Sequence, residues 1–115
     1  MKIKIYHNPR CTKSRQSHQL LIEKGVEFDT VEYLKEPLSE KELKAVLSKL
    51  GIKAAELIRK TEAIYKEKFK GKELTESEWI KAMLDYPKLM QRPIVIRGEN
   101  AVIGRPTELV AELIK

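Results

Sequence analysis

The order of predicted strands and helices most constrains the fold of this chain. Residues 2–6 alternate apolar and polar side chains, and residues 27–33 are rich in β-branched and aromatic side chains, so both predict strands. A helix is predicted between them over residues 12–24, and a strand–helix–strand unit of this kind is expected to be parallel and right-handed. A hairpin over residues 93–97 and 101–103, followed by a helix, completes an α/β sandwich with a four-stranded mixed sheet.

Helices alone are predicted in the middle of the chain, as an insertion between residues 39 and 86. Ser39 with Glu42, and Thr75 with Glu78, form two capping boxes. In a capping box, a hydroxyl accepts a hydrogen bond from the backbone N–H three residues on, and the acidic side chain bonds back to the first residue. These pairs therefore predict where two of the inserted helices begin.

The final helix is predicted to have Pro106 at its first position, where the absence of a backbone N–H has no cost. Its predicted buried face includes Leu109 and Val110. No internal repeat, low-complexity tract or linker interrupts the chain, and 115 residues is the length of one ordinary domain. We therefore expect a single domain over residues 1–115.

The charges and the cysteine content exclude several classes of protein. Lysine and arginine number 23 against 17 acidic residues, but the two signs are interleaved, which is typical of a solvated helix surface and not of a nucleic-acid partner. No apolar run is long enough to span a membrane. A single cysteine excludes an internal disulfide framework and fits a reducing compartment, so we expect a cytoplasmic protein, and we expect a monomer.

That cysteine, Cys11, lies in the loop between the first strand and the first helix. The free N–H groups and the dipole at a helix N-terminus stabilise a thiolate, which is the reactive form of cysteine. Arg10, Lys13 and Arg15 add positive charge nearby. The alternative is an inert buried thiol, as most free cysteines are. The polar, cationic surroundings favour a reactive nucleophile at Cys11.

Three arginines lie at the edges of predicted elements: Arg59 at a helix break, Arg92 before Pro93, and Arg105 in a Gly-Arg-Pro loop. Each by itself could be an ordinary surface residue. Together they suggest a pocket for a tetrahedral oxyanion, which guanidinium groups bind with paired hydrogen bonds.

The segment Tyr6-His7-Asn8-Pro9-Arg10-Cys11, followed by Ser14 and Arg15, resembles the active-site loop of the glutaredoxin-coupled arsenate reductases, the ArsC family. The motifs around Arg59, Arg92 and Arg105 are similar to the motifs that carry the family's oxyanion-binding arginines. The similarity extends over residues 2–114. It implies a thioredoxin-like, glutaredoxin-type fold with a cis-proline, here Pro93, bordering the active cysteine.

The resemblance also implies an activity, the reduction of arsenate to arsenite. Cys11 would form a covalent adduct with the arsenate-like oxyanion, and because the chain has no second cysteine, an outside thiol must resolve it. Glutathione is the expected co-substrate and glutaredoxin the expected partner, with no bound cofactor. Ser14 is expected to hydrogen-bond sulfur or oxyanion, and His7 and Asn8 to shape the loop, with proton donation by His7 an open alternative.

The sequence also bears on three other functions. A low-molecular-weight phosphatase-type reductase needs arginine six positions after the cysteine, where this chain has Ser17. A metal site is not expected, because His7, His18 and Cys11 lack ligand spacing. The remaining alternative is a redox or transcription-regulatory binding protein like the Spx-type regulators, which share the fold. Their switch is Cys-x-x-Cys, and Ser14 occupies the second position here.

Overall fold

The computed structural model describes residues 2–115 and contains the predicted strands and helices with bounds that differ by a few residues. The strands are β1 (Ile3–Tyr6), β2 (Phe28–Val31), β3 (Ile94–Arg97) and β4 (Asn100–Ile103). The helices are α1 (Thr12–Glu23), α2 (Glu40–Leu50), α3 (Ala54–Leu57), α4 (Ala63–Lys68), α5 (Glu76–Asp85) and α6 (Glu108–Leu113), and a short 3-10 helix covers Pro87–Leu89.

The described chain divides into two compact units. The sheet unit consists of the residues up to Glu36 together with Arg92–Lys115. The helical unit is Pro37–Gln91, and it contains α2 to α5. The helical insertion predicted between residues 39 and 86 is therefore confirmed, whereas the grouping of residues 1–115 as one domain stays a prediction.

The sheet unit is built on a mixed sheet with the strand order β2-β1-β3-β4. β1 pairs in parallel with β2 and antiparallel with β3, and β3 pairs antiparallel with β4. This is the four-stranded mixed sheet predicted from the order of elements, in the thioredoxin-like arrangement that the resemblance implies. It places the end of β1, where the Cys11 loop starts, opposite the start of β3 at Ile94.

The core of the sheet unit packs both of its helices against the central strands. Ile3, Ile5 and Val95 from the sheet form a buried cluster with Leu21 of α1 and Val110 of α6. Burial of apolar area is the main force that stabilises such a cluster. Because α1 and α6 share this cluster, the N-terminal ends of both helices are held in fixed positions relative to the sheet.

The start of the last helix differs from the prediction. α6 begins at Glu108, not at Pro106, and the peptide bond between Arg105 and Pro106 is cis. Pro106 instead belongs to a turn in which its carbonyl accepts a hydrogen bond from the N–H of Leu109 at 3.1 Å. Leu109 is also 41% exposed, so its assignment to the buried face was wrong, whereas Val110 is fully buried.

In the helical unit, both capping boxes are present. Ser39 caps α2 with Glu42, and Thr75 caps α5 with Glu78, each through reciprocal hydrogen bonds of 2.9–3.2 Å. The core of this unit is apolar and comes mainly from α2, α3 and α5. Its fully buried members include Leu43, Val46, Leu57, Met83, Leu89 and Met90.

Candidate active site

Cys11 occupies the N-cap position of α1, with an extended backbone (φ −95°, ψ 123°). Its own N–H donates to the carbonyl of Asn8 at 3.0 Å, which closes a turn over Pro9 and Arg10. Its carbonyl accepts from the N–H of Arg15 at 2.9 Å, the first hydrogen bond of the helix. The loop therefore delivers the sulfur directly to the free N–H groups of the first helical turn. The expected position of Cys11 at a helix N-terminus is confirmed.

Two of the predicted arginines lie beside the sulfur. The Nη2 of Arg105 donates to the Sγ of Cys11 at 3.3 Å, and its Nε donates to the carbonyl of Arg92 at 2.7 Å. The side chain of Arg92 also hydrogen-bonds Cys11. The Arg92–Pro93 peptide bond is cis, as predicted, and Pro93 is buried. The geometry of the sheet unit thus brings Cys11, Arg92, Pro93 and Arg105 together.

The pKa of the Cys11 thiol is lowered by this environment. Partial burial is the largest single influence and would raise the pKa, because it disfavours the charged form. Hydrogen bonds from the N–H of Ser14, from the side chain of Arg92 and from the N–H of Lys13, together with the charge of Arg105, outweigh it. A larger share of Cys11 is therefore ionised at neutral pH than for an ordinary thiol.

The groups that stabilise the thiolate are not all the ones that the sequence indicated. Arg15, expected to contribute charge, donates to the carbonyl of Pro9 at 2.9 Å and to the Oγ1 of Thr12 at 3.2 Å, so it braces the loop. Lys13 acts on the sulfur through its backbone N–H. Arg92 and Arg105 were assigned to the oxyanion alone, and their contact with the sulfur was missed. The predicted cis-proline beside the cysteine, Pro93, did place Arg92 near Cys11, but it did not indicate a direct contact between the guanidinium and the sulfur.

Ser14, His7 and Asn8 form a buried network behind the loop. The hydroxyl of Ser14 accepts from the N–H of Asn8 at 2.9 Å and lies 2.6 Å from the Nδ1 of His7. The Oδ1 of Asn8 accepts from the N–H of Arg10 at 3.0 Å. Ser14 is fully buried, so in this structure its hydroxyl orders the loop, while its N–H serves the sulfur. The expected loop-shaping contacts of His7 and Asn8 are present.

The surroundings of His7 favour its neutral form. Burial and the charges of His18 and Arg15 lower its pKa, against an opposing influence of Glu32. Its ring stacks on that of His18 with centroids 4.6 Å apart, and a second positive charge there would be repelled. With one lone pair of Ser14 used by the N–H of Asn8, the serine proton can be donated to Nδ1, which leaves the His7 proton on Nε2.

Arg59 belongs to the helical unit, where it follows α3. Its N–H donates to the carbonyl of Leu89, at 2.6 Å, next to the antiparallel bridge between Ile58 and Met90. Its guanidinium Nε lies 3.9 Å from a carboxylate oxygen of Glu62. The side chain is half-buried, and its predicted part in oxyanion binding stays a prediction.

A thiolate flanked by two guanidinium groups can attack a tetrahedral oxyanion, because the guanidinium groups bind the anion and offset its repulsion by the thiolate.

Across residues 2–115, no cluster of three or more histidine, cysteine, aspartate or glutamate side chains could hold a metal ion. In the same range, no helix is long and apolar enough to cross a lipid bilayer.

Comparison with known proteins identifies related sequences over almost the whole chain. The model of the ArsC family matches residues 6–113. The uncharacterized protein YfgD of Escherichia coli (strain K12) is 48% identical over 115 residues, which cover 98% of this chain and 97% of YfgD. An arsenate reductase of Neisseria meningitidis serogroup A is 40% identical over 109 residues, which cover 93% of each protein.

Among solved structures, the arsenate reductase from Vibrio cholerae superposes with a TM-score of 0.92 at 38% identity, over 97% of both chains. The match includes the sheet unit and the helical insertion, since it leaves only a few residues of either chain uncovered. The likeness therefore includes elements of both units and not the sheet alone.

Proposed function

The chain belongs to the ArsC family, and from this membership we propose that it reduces arsenate to arsenite, with Cys11 as the nucleophile and with glutathione and glutaredoxin as the source of electrons. One observation carries the proposal. The Nη2 of Arg105 lies 3.3 Å from the sulfur of Cys11, while its Nε donates to the carbonyl of Arg92. A guanidinium group is therefore held beside the position that an oxyanion must occupy to be attacked by the sulfur.

Substrate binding depends on charge. Arsenate carries negative charge at neutral pH and would be repelled by a thiolate without cations beside it. Arg92 and Arg105 supply two, and we propose Arg59 as a third. As the anion binds, Arg105 exchanges its hydrogen bond with sulfur for one with an arsenate oxygen, which frees the sulfur lone pair for attack.

The chemical steps conserve atoms and electrons. The Cys11 thiolate attacks arsenic, an S–As bond forms, and one arsenate oxygen leaves as water after protonation. The thiolate of glutathione then attacks the sulfur of Cys11. The S–As bond breaks with its electron pair passing to arsenic, so As(V) becomes As(III) and arsenite leaves. The two sulfur atoms are oxidised to a mixed disulfide. A thiol of glutaredoxin attacks that disulfide at the glutathione sulfur and regenerates the Cys11 thiolate.

The setting of this reaction follows from its chemistry. Each cycle starts from a reduced Cys11, and a thiol pool keeps cysteines reduced in the cytoplasm. We therefore propose a cytoplasmic location, and a monomer, because a single copy of the sheet unit already holds Cys11, Arg92 and Arg105 together.

The decisive experiment is to incubate the purified chain with arsenate, glutathione, glutaredoxin and a glutathione-regenerating system, and to measure arsenite. We expect arsenite formation that needs every component and is abolished in Cys11→Ser. Omission of glutaredoxin should allow one turnover per chain, ending with glutathione attached to Cys11 in the mass spectrum.

Two results would contradict the proposal. Absence of arsenite with the complete mixture, when a parallel reaction with the Neisseria meningitidis protein produces it, would exclude the activity. Arsenite formation by Cys11→Ser at the rate of the unsubstituted chain would exclude the proposed nucleophile. In the first case, a binding or regulatory role of the kind known for Spx-type proteins would become the better hypothesis.

A further inference from the structure

Gly104 lies at an unusually close approach between three parts of the sheet unit. It is buried and connects β4 to the loop that carries Arg105. A Cβ atom at this position would lie 2.6 Å from the Oγ of Ser17, 2.8 Å from the Cγ of Pro93 and 3.1 Å from the Cγ2 of Val110. Carbon atoms in contact normally lie about 3.5–4.0 Å apart, so only a hydrogen atom fits here.

Each neighbour of Gly104 is connected to a group of the active site. Ser17 lies on α1, the helix that Cys11 caps. Pro93 follows Arg92, and its carbonyl accepts a hydrogen bond from the N–H of Gly104 at 2.8 Å. The next residue after Gly104 is Arg105, whose guanidinium contacts Cys11. Gly104 therefore contacts the segments that carry Cys11, Arg92 and Arg105.

The contact with Ser17 is steric and not polar. The Ser17 side chain is 0% exposed, and its Oγ has no hydrogen-bond partner within residues 2–115. An unpaired buried hydroxyl is unfavourable for stability. The hydroxyl therefore does not hold the loop by a hydrogen bond. The contribution of Ser17 to this contact is its small size, which allows α1 to approach the Cα of Gly104 closely.

We propose that Gly104 is a positioning residue of the active site, which sets the depth at which the Arg105 loop packs between Ser17 and Pro93 and so the distance from the Arg105 guanidinium to the sulfur of Cys11. The side chain of Arg105 bridges two fixed points, the carbonyl of Arg92 at 2.7 Å and the sulfur at 3.3 Å. A displacement of its backbone moves the guanidinium relative to both partners, so both hydrogen bonds keep these lengths only if the side chain changes its torsion angles. This inference deepens the proposed function, since it concerns the same site.

A purely structural role for Gly104 makes a different prediction. If the glycine only allows tight packing, then Gly104→Ala lowers stability and leaves the chemistry of Cys11 unchanged in the folded protein. If it positions Arg105, the substitution also raises the pKa of the thiol, because the charge of Arg105 moves away from the thiolate. The thiol pKa therefore separates the two roles, and its measurement needs no arsenate.

The experiment is the rate of iodoacetamide alkylation of Cys11 against pH. For Gly104→Ala we expect the thiol pKa to rise by about half a unit to one unit, which at a pH below both pKa values slows alkylation roughly three- to tenfold. The matched control is Val110→Ala. Val110 is fully buried and also faces Gly104, so its truncation destabilises the same unit, but it removes crowding instead of adding it. We expect its thiol pKa to equal that of the unsubstituted chain.

Two double variants make the inference specific. Ser17→Ala removes the atom that clashes most, so Ser17→Ala with Gly104→Ala should recover part of the pKa shift, whereas Ser17→Ala alone should cause none. Arg105→Met should raise the thiol pKa by itself, and Gly104→Ala should add little to it, because both changes remove the same contact.

An unchanged thiol pKa in folded Gly104→Ala, or an equal shift in Val110→Ala, would overturn the proposal. So would simple addition of the shifts from Gly104→Ala and Arg105→Met. Should Gly104→Ala fail to fold, Ser17→Thr crowds the same contact from the helix side with one methyl group. An unchanged thiol pKa in that variant would equally overturn the proposal. Failure of arsenate reduction alone would contradict the proposed function and leave this inference standing.

Discussion

At the scale of single residues, the reactivity of Cys11 is decided by competition between burial and hydrogen bonding. Burial alone raises its pKa, and the N–H groups of α1 together with Arg92 and Arg105 lower it. Burial and the charge of His18 lower the pKa of His7, which lies 2.6 Å from the Ser14 hydroxyl, and so favour its neutral form. The thiolate is therefore stabilised by donors that contact it, and not by a protonated histidine.

The first prediction concerns the pH dependence of Cys11. Its alkylation by iodoacetamide should reach half of its maximal rate below the ordinary thiol pKa of about 8.5. Because the pKa is lower in the folded state, the ionised thiol stabilises the fold above the unfolded-state pKa, and this contribution is lost as pH falls through the folded-state pKa. The free energy of unfolding relative to Cys11→Ser should therefore increase over that window as pH rises. An alkylation midpoint at or above the ordinary thiol pKa of about 8.5 would contradict this prediction.

The second prediction concerns Arg92. Arg92→Lys keeps the charge but loses the two-pronged donor, so binding of phosphate, a non-reacting analogue of arsenate, should weaken by about 1.5–3 kcal/mol. Titration of the Cys11→Ser background by NMR measures this. Arg97→Lys is the control, because Arg97 donates to the carbonyls of Leu113 and Lys115 at the C-terminal end of the chain. Equal phosphate affinity in the two variants would refute the assignment.

At the scale of elements, α1 differs from the other long helices in the charge of its first turn. α2 and α5 carry two glutamates each in their first turns, which suits the positive end of the helix dipole. The first turn of α1 has no acidic residue and contains Lys13, which the dipole disfavours. The side chains in the first turn of α1 thus give it less electrostatic stabilisation than those of α2 and α5 give their helices.

The third prediction follows from this arrangement. Lys13→Glu should raise the free energy of unfolding by about 0.3–1 kcal/mol, through the helix dipole. It should also slow the reaction of Cys11 with the anionic disulfide 5,5′-dithiobis(2-nitrobenzoate), relative to its reaction with the neutral disulfide 2,2′-dithiodipyridine. The ratio of the two rates cancels any change in the thiolate fraction. Lys41→Glu is the matched control, because Lys41 is the second residue of α2 as Lys13 is of α1.

Lys41→Glu should give a comparable gain in stability and leave the rate ratio unchanged. A rate ratio that falls equally in both variants would show that net charge, and not the position of Lys13 beside Cys11, is responsible. An unchanged ratio in Lys13→Glu would show that this lysine does not act on incoming anions.

At the scale of the whole molecule, the chain has two compact units with separate cores. The sheet unit by itself contains the nucleophile, the cis-proline and two of the predicted oxyanion-binding arginines. The helical unit contributes the third predicted residue, Arg59. A role of the helical unit in the proposed reaction requires that Arg59 binds the substrate, which stays a prediction.

The fourth prediction tests that contribution. Arg59→Ala should weaken phosphate binding to the Cys11→Ser background by about 1.5–3 kcal/mol, the scale of a hydrogen bond to a charged group. It should leave the thiol pKa of Cys11 unchanged when the cysteine is present, because Arg59 is not among the groups that shift it. Lys60→Ala, which removes a neighbouring exposed charge, is the control. Equal phosphate affinity of Arg59→Ala and Lys60→Ala would remove Arg59 from the predicted site.

Local patterns in the sequence determined the strands, the two capping boxes and the position of Cys11 at the start of α1. The capping boxes and the start of α1 depend on hydrogen bonds between residues a few positions apart. The strands were predicted from the alternation and the β-branched and aromatic content of short segments, whereas their pairing joins distant parts of the chain. The positions of Arg92 and Arg105 at the edges of predicted elements suggested an oxyanion pocket, and resemblance to a family supported these two residues and implied the cis bond before Pro93. The resemblance carries tertiary information that the stretch itself does not.

The tertiary structure alone decided which groups contact the thiolate. Arg105 reaches Cys11 across 94 positions of sequence, and Gly104 lies against Ser17 only because α1 and the loop after β4 pack on the same sheet. The stacking of His7 on His18 and the late start of α6 after Pro106 have the same origin. No local periodicity encodes such contacts, because they depend on the summed packing of the sheet unit. The sequence by itself thus determined where the reactive thiol lies along the chain, and the packed fold decided what holds it ionised.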